Sequence, residues 1–489
     1  MFTKGLLFSV SLFLILSLDN MSLINIRTAR KTLLADTLTP IGIFMKIRKN
    51  FKNSVILESA DYHGREHGFS HIAFDPVASF ELTDSKVKQV FPDGTVEEFI
   101  LENRRDAVQV LKNFADRFGF QKEKGDSPMA NGLFGHISYD AVTYFEDIEI
   151  QLKNPETEIP SIRYYVYRYV VAVNHFNNQM TMYAHSYDGS EPSFDTLTYL
   201  LNMPHYEPAP FERVGEEVSN LNDAQVKEIV ETCIKHCLRG DVFQIVPSRR
   251  FSQGFKGDDF QVYRALRSVN PSPYLFYFDY EHYRIFGASP EKQIKIEGDV
   301  AEIHPIAGTF RRSGDDSRDA ELAQELLADP KETAEHVMLV DLARNDLSRS
   351  ADHVNVETFK EVQFFSHVIH LVSKVTGRLQ KGVNPLQLVA DTFPAGTLSG
   401  APKYNAMTII NRLEPTNRAI YGGAIGFMDF QGNFNHAIAI RTFLSKGNTL
   451  FFQAGMGVVA KSVVASEMQE IHNKLAALRR ALEVAENLA

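Results

Sequence analysis

The sequence predicts an α+β fold built on antiparallel β-sheets. Runs rich in β-branched and aromatic residues occur in hairpin pairs, as at Tyr164–Val173 and Met180–Tyr187. Helical patterns lie between the strands at irregular intervals, which does not fit the regular strand–helix alternation of a doubly wound parallel sheet. Of the 489 residues, 44% are hydrophobic and 23% are charged, an ordinary globular balance that permits a large core.

Prolines between residues 192 and 210 indicate a connection between two parts of the chain. We therefore expect an N-terminal region over residues 21–215 and a C-terminal region over residues 216–489. In the N-terminal region the patterns predict a strand at Val55–Glu58 and a helix at Ala107–Arg117.

Element patterns are clearer in the C-terminal region. A helix at Asp223–Leu238 has apolar residues at helical spacing and is ended by Gly240. A loop followed by a helix is predicted at Pro394–Arg412. Short apolar runs predict strands at Val242–Pro247, Tyr274–Tyr280, Arg284–Ala288, Gln293–Glu297, Val300–His304, Gly422–Phe430, His436–Leu444 and Leu450–Gln453.

The first 20 residues form neither a membrane span nor a complete export signal. The apolar segment Leu6–Leu18 follows Lys4 like a signal-peptide core, but it is shorter than a span and lacks a small-x-small cleavage site. We expect residues 1–20 to be a misplaced start, with Met21 as the true initiator of a cytoplasmic protein. The competing interpretation is a signal peptide on an exported protein.

Charge and thiol content argue against several classes of protein. The net charge of −10 and the isoelectric point near 5.9 do not fit a nucleic-acid-binding surface. The cysteines, Cys233 and Cys237, lie one helical turn apart, which is poor disulfide geometry and too few thiols for a zinc site. We expect free thiols in a reducing compartment.

The segment Asp329–Asp346 predicts a largely buried helix with two acidic side chains on one face. Asp329 suits the N-cap, Pro330 suits the first helical position, and Glu332 can close a capping box. Apolar residues then follow almost all the way round the helix. Glu335 lies three residues after Glu332 and faces the interior, where a carboxylate needs an ion pair or a metal.

A second pair with the same spacing, Glu467 and Glu470, begins the last helical pattern. Two Glu-x-x-Glu pairs together can hold Mg²⁺, which binds carboxylates while water and substrate oxygens complete its shell. The spacing alone leaves the alternative open, because the same pattern also occurs on solvated helix faces.

Other features permit anion binding without requiring it. Pro394–Lys403 places glycines and hydroxyls before a helix, which suits either an anion site or a tight turn. Gly455 and Gly457 follow a strand and allow either close approach of a ligand or a simple bend. Arg441, in an apolar strand, needs a carboxylate from a ligand or from the protein. His370, among apolar residues, is more often a core residue than a catalyst.

In combination, eight motifs in this order resemble the family of chorismate-utilising enzymes. The resemblance covers the chain from about Ser22 to its end and is densest after Asn222. Its motifs are Gly240–Ser248, Ala288–Glu291, Pro305–Thr309, Glu335–Asp346, Phe393–Lys403, Tyr421–Gly426, Ala454–Gly457 and Glu467–Lys474.

The resemblance implies antiparallel sheets sandwiched with helices around a central cleft, and Mg²⁺-dependent chemistry on chorismate in residues 216–489. By this resemblance, the Mg²⁺ ligands are Glu335 and Glu470, supported by Glu332 and Glu467. The substrate-binding residues it implies are Thr309, Tyr421, Arg441, Gly455, Gly457 and Lys474. The catalytic residues it implies are Glu291 as the acid for the departing 4-hydroxyl, His370 for pyruvate loss, and Gln244 and Thr397.

Gln244 and Ala307 separate the chain from two kinds of relative. Members that add water, forming isochorismate, resemble this chain but carry a lysine base at the position of Gln244. Since glutamine cannot accept a proton at neutral pH, we expect ammonia as the nucleophile. Members that form aminodeoxychorismate and retain pyruvate often carry lysine at the position of Ala307. A non-catalytic chorismate- or tryptophan-binding protein would not need Glu291 and His370.

The resemblance also implies a feedback site and a partner. The residues that resemble the family's tryptophan pocket are Glu58, Ser59, Pro273, Tyr274 and Leu275, although a strand end and a proline turn would also explain them. Neither cysteine lies in a nucleophile-elbow pattern. We therefore expect ammonia from a separate glutaminase subunit, in a heterotetramer or similar assembly, or from free ammonium.

Overall fold

The structure, a computed structural model, describes residues 23–59, 68–150, 153, 155–204, 206–364 and 368–488. The strands are β1 (Ile24–Asn25), β2 (Arg27–Leu34), β3 (Val55–Glu58), β4 (Phe69–Thr83), β5 (Lys86–Val90), β6 (Val96–Ile100), β7 (Phe118–Gly119), β8 (Leu133–Ile137), β9 (Ile162–Asn174), β10 (Gln179–Ser186), β11 (Phe211–Ser219), β12 (Gln244–Ile245), β13 (Ser248–Gly257), β14 (Tyr274–Asp279), β15 (Tyr283–Ser289), β16 (Lys292–Glu297), β17 (Val300–Ile303), β18 (Ile306–Arg311), β19 (Ala351–Phe364), β20 (Val368–Leu379), β21 (Gly400–Ala401), β22 (Ala424–Met428), β23 (Phe434–Ile438), β24 (Thr442–Lys446), β25 (Thr449–Gly455) and β26 (Val458–Val459).

The α-helices are α1 (Pro40–Asn50), α2 (Ala107–Asp116), α3 (Asp195–Asn202), α4 (Asp223–Arg239), α5 (Phe260–Val269), α6 (Asp316–Ala328), α7 (Pro330–Ser348), α8 (Pro385–Thr392), α9 (Gly396–Ser399), α10 (Lys403–Leu413) and α11 (Val464–Ala485). Short 3₁₀ helices lie at Arg104–Asp106, Tyr139–Tyr144 and Pro155–Thr157.

Two large antiparallel sheets share the long strands β4 and β9. One end of β4 pairs with β3 and the other with β5, while β9 pairs with β10 at one end and with β8 at the other. One sheet therefore runs β2–β10–β9–β4–β3–β14–β15–β24–β25–β13–β11. The other runs β6–β5–β4–β9–β8–β22–β23–β16–β17–β20–β19, with β18 also on β20. The predicted α+β class with antiparallel sheets is confirmed.

The central strands of the first sheet are buried on both faces, whereas its edge strands β2 and β11 are mostly exposed. Successive side chains of a strand point to opposite faces, and in β4 this places Ala73 in the core between the sheets and Ile72 and Phe74 in a second core. The second core lies against helices that include α1, α5 and α11. The fold is therefore a sandwich of sheets and helices, as the resemblance implies.

Two predicted strands differ from the observed ones. Val242–Pro247 contributes only the two-residue strand β12, which lies between β21 and β26 in a separate small sheet. The predicted strand His436–Leu444 is split between β23 and β24. The break occurs because Arg441 has a φ of 49°, a left-handed conformation that ends the ladder.

The helix α7 begins as predicted, but its capping box does not form. The Asp329 side chain accepts from the backbone N–H groups of Lys331 and Glu332. The Asp329 N–H, which a capping box would direct to the Glu332 side chain, donates to Leu326 O instead. The prediction of a box at Glu332 is therefore wrong, and its carboxylate is not used by the cap.

The predicted boundary at residues 215/216 stays a prediction. The connecting stretch contains the helix α3, and strands from the two regions pair directly, β3 with β14 and β8 with β22. Residues 1–22, including Leu6–Leu18, lie outside the described residues. Within the part of the chain that the structure describes, no helix is long and apolar enough to cross a membrane.

Candidate active site

Gln244 lies at the centre of a small sheet that brings two glycine segments to the helix α7. Its Nε2 donates to Glu335 Oε1 at 2.9 Å. A Cβ on Gly457 would lie 3.0 Å from Gln244 Nε2 and 3.8 Å from Glu335 Oε1. A Cβ on Gly400 would meet Gln244 O at 2.2 Å. The close approach of these three segments therefore depends on glycine at both positions.

The two predicted glutamate pairs lie on α7 and α11, and their negative charges repel one another. Burial raises the pKa of Glu335; the Gln244 hydrogen bond opposes this, and the negative charges of Glu332 and Glu470 add to it. Burial also raises the pKa of Glu467 to about 7, with Glu470 contributing. The Oε2 atom of Glu467 is buried, and no described residue forms a hydrogen bond with it.

Glu470 has a closer cation than Glu332 has. Burial works against its ionisation, but Lys474, at 2.7 Å from its Oε1, lowers its pKa overall. Lys331 lies 3.8 Å from Glu332 Oε1. Its positive charge also favours lower pKa values for Glu335, Glu467 and Glu470. Two lysines thus offset part of the negative charge.

These carboxylates suit a hard divalent cation in their chemistry, although they do not form a closed shell. Oxygen donors are what Mg²⁺ prefers, and a cation would relieve the repulsion that raises the pKa of Glu335. The unpartnered oxygen of Glu467 is a further available donor. Among the described residues, no three Asp, Glu, His or Cys side chains form a ready-made metal cluster. The residues therefore fit the ion, and water or substrate oxygens would have to complete its shell.

Glu291 follows β15 and has a carboxyl group suited to hold a proton. Thr397 Oγ1, on the short helix α9, donates to Glu291 Oε1 at 2.8 Å. Burial raises the pKa of Glu291 to about 7, against the opposing effects of Thr397, Lys474 and Arg441. The Glu291 carbonyl accepts from the Ile438 N–H at 2.9 Å, which fixes the loop to β23. A large share of this carboxyl is protonated at neutral pH.

Arg441 lies at the break between β23 and β24, and its positive charge interacts with Glu291. Burial lowers its pKa, and the charge of Glu291 opposes this. Among the described residues its guanidinium forms no ion pair with a carboxylate. A buried arginine of this kind has its bidentate fork available for the carboxylate of a ligand.

His370 lies in β20 opposite Thr309 of β18. Its Nδ1 lies 3.1 Å from Gly308 O, which fixes the ring and places the proton on that nitrogen. Burial lowers its pKa to about 4, so the imidazole is neutral at pH 7. The side chain of Thr309 lies outside the described structure, and its predicted substrate contact stays a prediction.

Tyr421 and Lys474 converge on the Gly455 backbone. A Cβ on Gly455 would lie 2.9 Å from the Tyr421 hydroxyl, so only glycine permits this contact. Lys474 Nζ donates to Gly455 O at 2.9 Å. Burial raises the pKa of Tyr421, which therefore stays a neutral phenol. Most of the predicted site residues thus lie in three groups, around Gln244, Glu291 and Gly455, whereas His370 and Thr309 form a separate pair on β20 and β18.

The residues of the predicted tryptophan pocket also come together. Glu58 ends β3 and pairs with Leu275 of β14. Tyr274 is the next residue of β14 toward its start, Pro273 precedes it, and Ser59 directly follows β3. Tyr274 pairs in turn with Ser289, two residues before Glu291. A continuous strand pair therefore joins this pocket to the candidate acid.

Two residues that contact Glu58, Tyr263 and Arg267, were not predicted from the sequence. Tyr263 Oη donates to Glu58 Oε2 at 2.7 Å, and Arg267 donates to both Glu58 oxygens at 2.9 and 3.0 Å. Both lie on α5, four residues apart and so on one helical face. That spacing, beside a buried acidic strand end, was the available signal.

The chain is similar over most of its length to known proteins. The family model described as chorismate binding enzyme matches residues 54–480. Anthranilate synthase component 1 of Aquifex aeolicus is 37% identical over 478 residues, which are 93% of this chain and 94% of the relative. The protein of that name from Neisseria meningitidis serogroup A is 36% identical over 467 residues, 92% of this chain and 94% of the relative.

Solved structures show the same likeness. The crystal structure of anthranilate synthase component I from Streptococcus pneumoniae has a TM-score of 0.73 and 31% identity, and the match covers 91% of this chain and 99% of that one. The menaquinone-specific isochorismate synthase of Escherichia coli, at 18% identity and a TM-score of 0.69, shares the fold; the match covers 97% of this chain and 99% of that one.

Proposed function

This chain belongs to the family of chorismate-binding enzymes, and from that membership we infer that it converts chorismate and ammonia into anthranilate, pyruvate and water. Relatives named anthranilate synthase component 1, at 34–37% identity, support this specific choice within the family. The observation that carries it in the structure is Gln244, which donates to Glu335 and offers no base to activate water.

Chorismate carries two carboxylates, so its site must concentrate positive charge in an acidic protein. Arg441, which has no protein carboxylate paired with it among the described residues, holds one carboxylate in a bidentate contact. Tyr421 and the backbone around Gly455 and Gly457 position the substrate from the other side. Lys474 fixes that backbone through Gly455 O and adds a second cation.

In the first step ammonia adds to the ring beside the carbon that bears the carboxylate, and the 4-hydroxyl departs. Hydroxide is a poor leaving group, so a proton must reach the oxygen as the bond breaks. Glu291 supplies it because its pKa of about 7 keeps much of the carboxyl protonated. Thr397 orients the carboxyl through its 2.8 Å hydrogen bond.

In the second step the amino intermediate loses its enolpyruvyl group and becomes aromatic. A ring proton leaves, the carbon–oxygen bond breaks, and the released enol becomes pyruvate. The neutral imidazole of His370, held by Gly308 O, assists this proton transfer. Ala307, buried in β18, provides no lysine that would compete for the intermediate.

Mg²⁺ would be held by Glu335 and Glu470, with Glu332 and Glu467 as support. When bound, it supplies Lewis-acid charge at the ring carboxylate and orients the substrate. Support comes from the mutual repulsion of these side chains and from the unpartnered Glu467 oxygen.

The ammonia comes from a separate glutaminase subunit. Burial raises the pKa of the Cys233 thiol to about 12, and burial also raises that of Cys237, so neither is a ready nucleophile. The names of the relatives, component 1, also fit a partner subunit. We place the protein in the cytoplasm as part of a heterotetramer or similar assembly.

Tryptophan inhibits the enzyme at the pocket around Glu58. The ligand ammonium requires an acidic partner, and Glu58 is buried. Within the described part of the chain, its oxygens accept hydrogen bonds from Ser70, Tyr263 and Arg267. The pairing of Tyr274 with Ser289 gives a direct path from this pocket to the loop of Glu291.

The experiment is an assay of the purified chain with chorismate, Mg²⁺ and ammonium at alkaline pH, followed by anthranilate fluorescence. We expect fluorescence to require ammonium and Mg²⁺, and glutamine alone to give none. Chorismate left intact under these conditions would refute the proposed function.

A further inference from the structure

A buried ion pair between Glu414 and Arg418 lies behind the candidate active site. The guanidinium donates from Nε to Glu414 Oε2 at 2.9 Å and from Nη2 to Oε1 at 2.6 Å. The side chains of Glu414 and Arg418 are 5% and 2% exposed, so both are shielded from solvent. Burial opposes the charge of Arg418, but Glu414 raises its pKa overall.

Arg418 also contacts two walls of the cleft directly. Its Nη2 donates to Val246 O at 2.6 Å, two residues after Gln244. Its Nη1 donates to Leu398 O at 2.6 Å, next to Thr397.

Glu414 contacts Ser248, and the guanidinium of Arg418 lies near the ring of Tyr421. Glu414 Oε1 accepts from the N–H and the hydroxyl of Ser248 at 2.8 and 2.7 Å. Ser248 is paired with Gly455 across β13 and β25. The guanidinium carbon lies 5.7 Å from the ring centre of Tyr421. One ion pair therefore contacts the segments that carry Gln244, Thr397 and Tyr421. It also contacts the strand β13, whose Ser248 pairs with Gly455.

We propose that Arg418, held by Glu414, is the positioning residue that sets these segments relative to one another for the reaction. The inference rests on the proposed function. Arginine suits this task because its planar fork donates in several fixed directions at once, whereas lysine is a point charge. A pair needed only for stability would not have to join the backbone of Val246, directly after β12, to that of Leu398 in α9.

Arg418→Lys tests this because it keeps the charge but loses the fork. Arg48→Lys is the matched control, since Arg48 donates bidentately to Asp258 at 2.6 and 3.0 Å with little exposure and without contact to the cleft. We expect kcat/KM for chorismate to fall about 100-fold in Arg418→Lys, because small misplacements are costly in catalysis. Arg48→Lys should stay within about threefold of wild type.

A double-mutant cycle with Thr397→Val separates positioning from general instability. If Arg418 positions Thr397, then Thr397→Val should lower kcat/KM by less than about threefold when Arg418→Lys is already present. In the Arg48→Lys background, Thr397→Val should lower kcat/KM as much as it does in wild type. Full additivity with Arg418→Lys would overturn the proposal. So would an Arg418→Lys protein with the activity of the control.

Ser248→Ala keeps the proposal testable if Arg418→Lys does not fold. It removes the hydrogen bond from the hydroxyl to Glu414 and the one that the hydroxyl accepts from Gln453 Nε2, and it leaves the backbone donor in place. We expect kcat/KM to fall about tenfold with a moderate decrease in thermal midpoint, and an unchanged kcat/KM would overturn the positioning role. If wild type makes no anthranilate, both this inference and the proposed function are overturned. If wild type is active but the Arg418→Lys and Ser248→Ala variants do not lose kcat/KM as expected, the inference alone is overturned.

Discussion

Replacement of Glu291 by glutamine should abolish most activity while it stabilises the fold at alkaline pH. The amide keeps the shape and an oxygen that can accept from Thr397 Oγ1, but it has no proton to give to the departing hydroxyl. General acid catalysis contributes about 10²–10⁴-fold to a rate, so kcat should fall by that factor, equivalent to about 3–5 kcal/mol.

The stability change has the opposite sign because burial penalises the ionised carboxylate. A pKa raised from 4.5 to about 7 means that the folded state loses about 3 kcal/mol above pH 7 and nothing below pH 4.5. Glu291→Gln removes this penalty. Its thermal midpoint should therefore exceed that of wild type at pH 8 and match it near pH 4.5.

The assay pairs anthranilate fluorescence with thermal unfolding at several pH values. Glu297→Gln is the matched control, since Glu297 ends β16 with a side chain 75% exposed and should change neither quantity. Glu291→Gln that keeps more than a third of the wild-type rate, or that is less stable than wild type at pH 8, would refute the reasoning.

Three further predictions concern the substrate, the nucleophile and the feedback pocket. Arg441→Lys should raise KM for chorismate by at least about tenfold, because a lysine cannot make the bidentate contact; an unchanged KM would contradict the assignment. Gln244→Lys should lower anthranilate formation at least about tenfold and yield some isochorismate by chromatography, since it introduces a base; a product that stays entirely anthranilate would count against the role of Gln244. Tyr263→Phe should change the tryptophan concentration that gives half inhibition by at least about threefold, through its 2.7 Å bond to Glu58, while ammonia-dependent kcat stays the same; unaltered inhibition would remove Tyr263 from the pocket.

Hairpin patterns predicted the fold class because side-chain alternation and strand composition are local properties. The hairpin of β9 and β10 and the helix α4 with its Gly240 stop were predictable for this reason. The sharing of β4 and β9 by two sheets was not predicted, because it depends on pairings between residues far apart in the chain. The predicted strand His436–Leu444 failed at Arg441, where a charged residue adopts a left-handed φ of 49°.

The candidate site was predictable where a motif carried it and not where tertiary contacts did. Glu335 was recognised as an acidic residue on a buried face, and the structure gives it a partner in Gln244. The neutral state of His370 and the raised pKa of Glu291 arise from burial among distant segments. No local pattern indicates such burial. The capping box at Glu332 failed for a similar reason, because α6 ends close enough for Leu326 O to accept the N–H that the box requires.

The central claim, that the chain adds ammonia to chorismate and releases pyruvate, is tested most directly by isotope incorporation. The purified chain is incubated with chorismate, Mg²⁺ and ¹⁵N-ammonium without any partner, and the products are identified by mass spectrometry. We predict ¹⁵N-labelled anthranilate and pyruvate in equal amounts. Isochorismate, or an aminated product that still carries its enolpyruvyl group, would contradict the account.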